Sequence, residues 1–158
     1  MQINGFGQRR ENLDKWLKII PLLNKLKDVE EIYGKADSVS LHTAEYYKPN
    51  ITIIIRYAEG KCIPNTYDYN VSEWTVIEVN YIFKENNVKI KNLRLNKRNY
   101  RLRQVGDVLH NFEYSDSKKG IAISFDNKNS QVSSIRLFPS HKTDRLYGCN
   151  RSNKANYH

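Results

Sequence analysis

Three sets of side chains in this chain carry types and spacings that could do chemistry. The first is a run of cations: Lys84, Lys89, Lys91, Arg94, Lys97, Arg98, Arg101 and Arg103 stand against Glu85 alone between positions 84 and 103. Lys89, Lys91, Arg94, Lys97, Arg98, Arg101 and Arg103 are the candidate anion-binding residues. They could hold phosphates or an acidic surface while the interleaved Leu93, Leu95, Tyr100 and Leu102 anchor the segment to a core. A solvated connector has the same composition. The second set is Cys62 and Cys149, which have neither zinc-site spacing nor a C-x-x-C pattern, so no metal site is assigned. They read either as two separate buried thiols or as one disulfide across 87 positions. The third is His42, His110, His141 and His158, scattered along the chain, with His141 close in sequence to Ser140 and Asp144. A hydrolase needs such groups convergent in space rather than in sequence, and Pro139-Ser140 reads as the end of a strand and the start of a turn. There is no G-x-S-x-G, H-E-x-x-H or phosphate-cradling glycine loop. Glu30 and Glu31 are helix neighbours that diverge by about 100°. No catalytic residue and no cofactor are therefore assigned.

The elements that must position these residues come from a chain of 158 residues with net charge +9, a pI near 9.5, a mean hydropathy of −0.72 and 39% hydrophobic residues. That composition supplies one core and excludes a collagen-like or wholly disordered chain, and no apolar run reaches the length of a spanning helix. The organisation predicted is a flexible stretch 1–12, a single α+β domain 13–150 and a disordered tail 151–158. Trp16, Leu17, Ile19 and Ile20 form an apolar patch stopped by Pro21. Leu26, Val29, Ile32 and Tyr33 then recur at helical intervals, which predicts a helix over 24–33, with Asn24 as its N-cap and Gly34 at its exit.

Beyond Gly34 the period changes to two. Strands are predicted at 51–57, 74–83, 111–115, 121–125 and 132–138, the last three separated by the turn-forming runs 116–120 and 126–130. The stretch from Cys62 to Glu73 reads as a loop, and Val105 to Leu109 as a helical turn or a connector. Strand after strand, with no helix between, favours antiparallel pairing. The fold class expected is α+β: a mainly antiparallel sheet with one or two short N-terminal helices. Tyr47, Ile51, Ile53, Ile55, Val76, Val79 and Tyr81 are echoed by Tyr114, Ile121, Ile123, Phe125, Val132, Ile135 and Leu137. The echo reads either as two degenerate helix-plus-strands halves or as the repeated period of amphipathic strands.

Several motifs occur in an order that resembles a family of uncharacterised exported bacterial domains. They are Trp16-x-x-Ile19-Ile20-Pro21-Leu22, Asp28-Val29-Glu30-x-Ile32-x-Gly34, a strand leading to Cys62, Trp74-x-Val76, Gly120-Ile121-Ala122-Ile123, and Val132-x-Ser134-Ile135 with Pro139-Ser140, Asp144 and Cys149 after it. The chain departs from the family at Asn24-Lys25 and at Lys35-Ala36, which touch the helix cap and exit. More loosely, the order of elements is similar to the modules of β-lactamase inhibitor proteins and outer-membrane assembly lipoproteins. The resemblance implies export, with any signal peptide absent from this sequence, and therefore an oxidising setting in which Cys62 and Cys149 form a bridge. The function expected is that of a non-enzymatic, monomeric binding or structural module outside the cytoplasm, engaging an unidentified protein or envelope component. The alternatives are a polyanion binder, of nucleic acid or anionic glycan, acting through 84–103, and a small hydrolase.

Overall fold

A computed structural model describes residues 13–62, 69–84, 88–106 and 110–149. The stretches 1–12 and 151–158 lie outside the described residues, as do 107–109 and 63–68. Alternating β-branched and aromatic residues build an eight-stranded antiparallel sheet: β1 Ser38–Ser40, β2 Thr43–Lys48, β3 Ile51–Tyr57, β4 Val76–Phe83, β5 Arg101–Gln104, β6 Asn111–Asp116, β7 Ile121–Asp126 and β8 Gln131–Leu137. The strand order is β1-β2-β3-β4-β8-β7-β6-β5. Two four-stranded meanders thus lie side by side, joined where β4 pairs with β8. Each is preceded by short helical elements: α1 Leu26–Tyr33 before the first, and 3-10 turns at Ile90–Leu93 and Lys97–Asn99 before the second. The order of elements repeats between the halves, but Tyr47 and Tyr114 of the echo stand on opposite faces of the sheet.

Register sorts every strand residue onto one of two faces. Tyr46, Ile53, Tyr81, Ile135, Ile123 and Tyr114 stand in one row across six strands, with Ala44, Ile55, Val79, Leu137 and Ile121 in the next. All but Tyr114 are buried. Over the first half this face is covered by the 3-10 turn Leu13–Trp16, by Ile19 and by α1. Trp16 packs 5.3 Å from the Tyr81 ring and 5.0 Å from Phe83, and Tyr33 packs 5.6 Å from Tyr46. Over the second half the cover is the segment 88–100, through Val88, Ile90, Leu93, Leu95 and Tyr100. The stretch that reads as a basic connector therefore does for β5–β8 what α1 does for β1–β4.

Several boundaries differ from the sequence reading, for local reasons. Helix α1 starts at Leu26 rather than 24. Asn24 does not cap it; its Oδ1 accepts the Ile20 amide at 2.7 Å, and Asp28 accepts the amide of Lys25, the residue that precedes the helix, at 2.7 Å. Trp74 lies outside β4 with φ +63, because the chain must turn there for Leu26 N to reach Trp74 O and Val76 N to reach Asn24 O. The second helix, α2 (His141–Tyr147), stands at the C-terminal end rather than beside the first, directly after Pro139-Ser140. Ser140 opens a helix there instead of a turn, its Oγ accepting the Thr143 amide at 3.3 Å.

The core on the first half is rich in tyrosine. The Tyr33 and Tyr81 hydroxyls bond to each other at 3.0 Å, while those of Tyr46 and Tyr57 are buried and close enough to perturb one another without hydrogen-bond geometry. Loss of solvation pushes all four phenols above their ordinary value of 10.0. The unfolded chain releases these protons near pH 10 and the folded chain holds them to higher pH. Their contribution to stability is therefore complete below about 10 and lost as the pH rises beyond it. In an alkaline titration these four of the 11 tyrosines should ionise only together with loss of the fold. Smooth ionisation of all of them near pH 10 in a still-folded protein, monitored by absorbance at 295 nm and circular dichroism, would contradict this packing.

Candidate functional site

The sheet's other face is polar, and register again decides what meets on it. Glu45, Ile54, Asn80, Arg136, Ala122, Ser115 and Arg101 form one row; Tyr47, Thr52, Ile82, Ser134, Ser124, Glu113 and Arg103 form the next. At one end the face is approached by the C-terminal elements. The Tyr69 hydroxyl donates to Asp144 of α2 at 3.0 Å, and Tyr69 and Gly148 form an isolated bridge. Burial, then the bond to Asp144, push the Tyr69 phenol upward, and Arg56 and Glu78 on this face also act on it. Cys62 and Cys149 are joined in a disulfide with Cα atoms 5.3 Å apart, which ties the end of α2 to the chain leaving β3.

On the uncovered part, arginines gather around one carboxylate. Glu113 is 5% exposed although it faces the polar side. Arg103, its direct cross-strand partner, brings Nε to 2.9 Å and Nη2 to 2.8 Å of Oε1, and Arg136 places Nη2 3.9 Å from Oε2. Arg136 also lies over the Phe138 ring at 5.5 Å. A buried carboxylate with one close partner and one more distant cation orients guanidinium groups without cancelling them. With Arg101 in the neighbouring row, and Ser115, Ser124 and Ser134 between, the arrangement can receive carboxylate or phosphate oxygens. The side-chain oxygen of Asn80, cross-strand neighbour of Arg136, is buried with no hydrogen-bond partner among the described residues.

The seven cations singled out in the sequence fall on two sides of the sheet. All seven are exposed. Lys89, Lys91, Arg94, Lys97 and Arg98 belong to the covering segment, where Lys97 sits 5.7 Å from the ring of Tyr114 on the covered face. Alternation along β5 turns Arg101 and Arg103 toward the opposite face, with Ser115 and Glu113. Glu113 and Arg136 were not readable as members of a site: their meeting with Arg103 depends on β5 pairing with β6 and on the diagonal across β7. The only sequence signal was one acid and one base at mid-strand positions.

Of the histidines, His42 pairs with Glu73 at 3.0 Å and packs 4.8 Å from the Trp74 ring. Ser140 and Asp144 are engaged in the cap of α2 and with Tyr69. Among the described residues no three His, Cys, Asp or Glu side chains come together as a metal site, and no helix is long and apolar enough to cross a membrane.

No family model matches the chain, and no curated protein does. Among solved structures it is similar to a DUF4309 family protein (YjgB) from Bacillus subtilis subsp. subtilis str. 168, at 12% identity and a TM-score of 0.44, over 75% of this chain and 80% of that one. It is also similar to a cysteine-rich secretory protein from Staphylococcus aureus subsp. aureus Mu50, at 13% identity and a TM-score of 0.42, over 84% of this chain and 47% of that one. These are distant likenesses to bacterial proteins, and a functional reading has to rest on this chain's own residues.

Proposed function

We propose that this chain is a non-enzymatic binding module of the extracytoplasmic space, whose uncovered sheet face docks an acidic surface of a protein or envelope component. The observation that carries the reading is the placement of Arg103 and Arg136 around the buried Glu113, with Arg101 in the neighbouring row of the same face. The net charge of +9 draws acidic partners toward it. The compartment is argued from the Cys62–Cys149 bridge, since such bonds persist where thiols are not kept reduced.

The probe is poly-L-glutamate, and the variant combines Arg101→Glu with Arg136→Gln, which leaves the Arg103–Glu113 pair intact. Its affinity should fall by roughly tenfold or more, with a shallower dependence on salt. Unchanged affinity removes this reading. A second reading, binding of nucleic acid or anionic glycan, is favoured by the exposure of Lys89, Lys91, Arg94, Lys97 and Arg98 on a segment held down by the buried Leu93. It requires the opposite pattern: charge reversal at Lys89, Lys91 and Arg98, not on the sheet face, abolishes binding to heparin or single-stranded DNA.

A further inference from the structure

The two edges of the sheet are built differently. Edge strand β5 carries Arg101 and Arg103, which repel any like strand brought alongside. Edge strand β1, at the other end, is Ser38-Val39-Ser40, three exposed residues without a charge. Val39 is 63% exposed although its cross-strand partner Ala44 is buried, because the cover over the first half stops short of the edge. Beside it, Leu41 is 89% exposed and is held at φ +49 in the β1–β2 turn, a backbone conformation that leucine rarely adopts. On α1, which covers the same face, Ile32 is 40% exposed.

Charge is divided in the same way. Residues 13–41 hold five lysines and five acids, whereas residues 84–103 hold eight cations and one acid. For a chain of net charge +9, the β1 edge is where a second copy can approach without meeting the excess.

We propose that two copies of this chain associate through antiparallel pairing of β1 with β1 of the second copy. A two-fold axis through Val39 sets the two Val39 side chains opposite each other, pairs the outward backbone groups of both edges, and brings Leu41 of each copy toward the start of the other's β1. The basic β5 edges then lie at the two far ends of a continuous sheet, where their repulsion is least. The surface is small, so the association is weak.

Sedimentation velocity between about 10 μM and about 1 mM should show the mass rising toward twice that of the chain, with Val39→Lys weakening association at least tenfold or so. Asn127→Lys, which adds the same charge in the exposed turn between β7 and β8, should associate as the wild type does. Because Val39 is exposed in the single copy, Val39→Lys should keep the wild-type thermal transition. As a positive readout that needs no loss, Val39→Cys should be joined to its own copy by a short bismaleimide, and Leu23→Cys, at a position 72% exposed that precedes α1, should not. Three results overturn the proposal: a wild type that stays a single copy throughout the range, association that survives Val39→Lys, or crosslinking of Leu23→Cys as efficient as that of Val39→Cys.

Discussion

Reducing the Cys62–Cys149 bridge, or replacing both residues with serine, should lower the free energy of unfolding by about 4 kcal/mol. The bond closes 87 positions containing β4 to β8, and most of its effect falls on the unfolded chain, which loses the freedom that an open loop of that length would have. For a protein of this size that corresponds to a fall in Tm of roughly 10–15 °C. A second, local consequence separates this bridge from a generic staple. Helix α2 buries none of its side chains, and Leu146 and Tyr147 are exposed. What joins it to the body includes the bridge, the Tyr69–Asp144 bond, the Tyr69–Gly148 pairing and the His141 amide on Ser117. With the sulfurs separated, the amides of 141–147 should lose protection from hydrogen exchange well before those of the central hairpins β3–β4 and β7–β8. Cys62 is exposed, so the reductant can reach it without denaturant. A reduced protein that melts within about 2 °C of the oxidised one, with α2 equally protected, would show that the bridge is incidental to both.

The same contrast between burial and tethering decides what could be read in the sequence. Helix α1 shows its 3.6 period because Leu26, Val29 and Tyr33 are pressed onto the sheet, and β3, β4, β7 and β8 show a period of two because one of their faces is the core. The strands and α-helix absent from the sequence reading are β1, β2, β5 and α2. Of these, β1 and β5 are exposed throughout and α2 buries nothing, so no alternation or stripe was imposed on their residues. Strand β2 has the alternation, Ala44 and Tyr46 inside against Glu45 and Tyr47 outside, but it spans only Thr43–Lys48 and is half charged or polar. The candidate site failed to show for a further reason. Arg103, Glu113 and Arg136 are brought together by strand register alone, and register is a property of paired strands that no single segment contains. The run of cations was visible, yet its division between the two faces became apparent only once β5 was known to be a strand.

Gly120→Ala should be among the most damaging single substitutions in the chain, and Gly34→Ala is its internal control. Both glycines have positive φ, +69 and +81, and Gly34, with ψ −165, lies in a region almost reserved for glycine, so each substitution carries a backbone cost of about 1–3 kcal/mol. At Gly34 nothing lies within 4 Å of the added atom, and the cost should stop there. At Gly120 the new Cβ would stand 1.9 Å from the carbonyl oxygen of Phe138 and 3.0 Å from the amide of Ser140. Those are backbone atoms, and the Phe138 amide is itself bonded to the Gly120 carbonyl at 2.8 Å, so relief requires moving the end of β8 away from β7. The expected loss is roughly 3 kcal/mol or more beyond that of Gly34→Ala, in line with overpacking against atoms that cannot rotate aside. The displacement would also reach the open face, because Arg136 lies over the Phe138 ring and Ser140 caps α2. Any Gly120→Ala protein that remains folded should therefore bind poly-L-glutamate more weakly, while Gly34→Ala binds as the wild type does. Equal unfolding free energies for the two variants in urea would mean that β7 and β8 do not approach at Gly120 as closely as this structure has them.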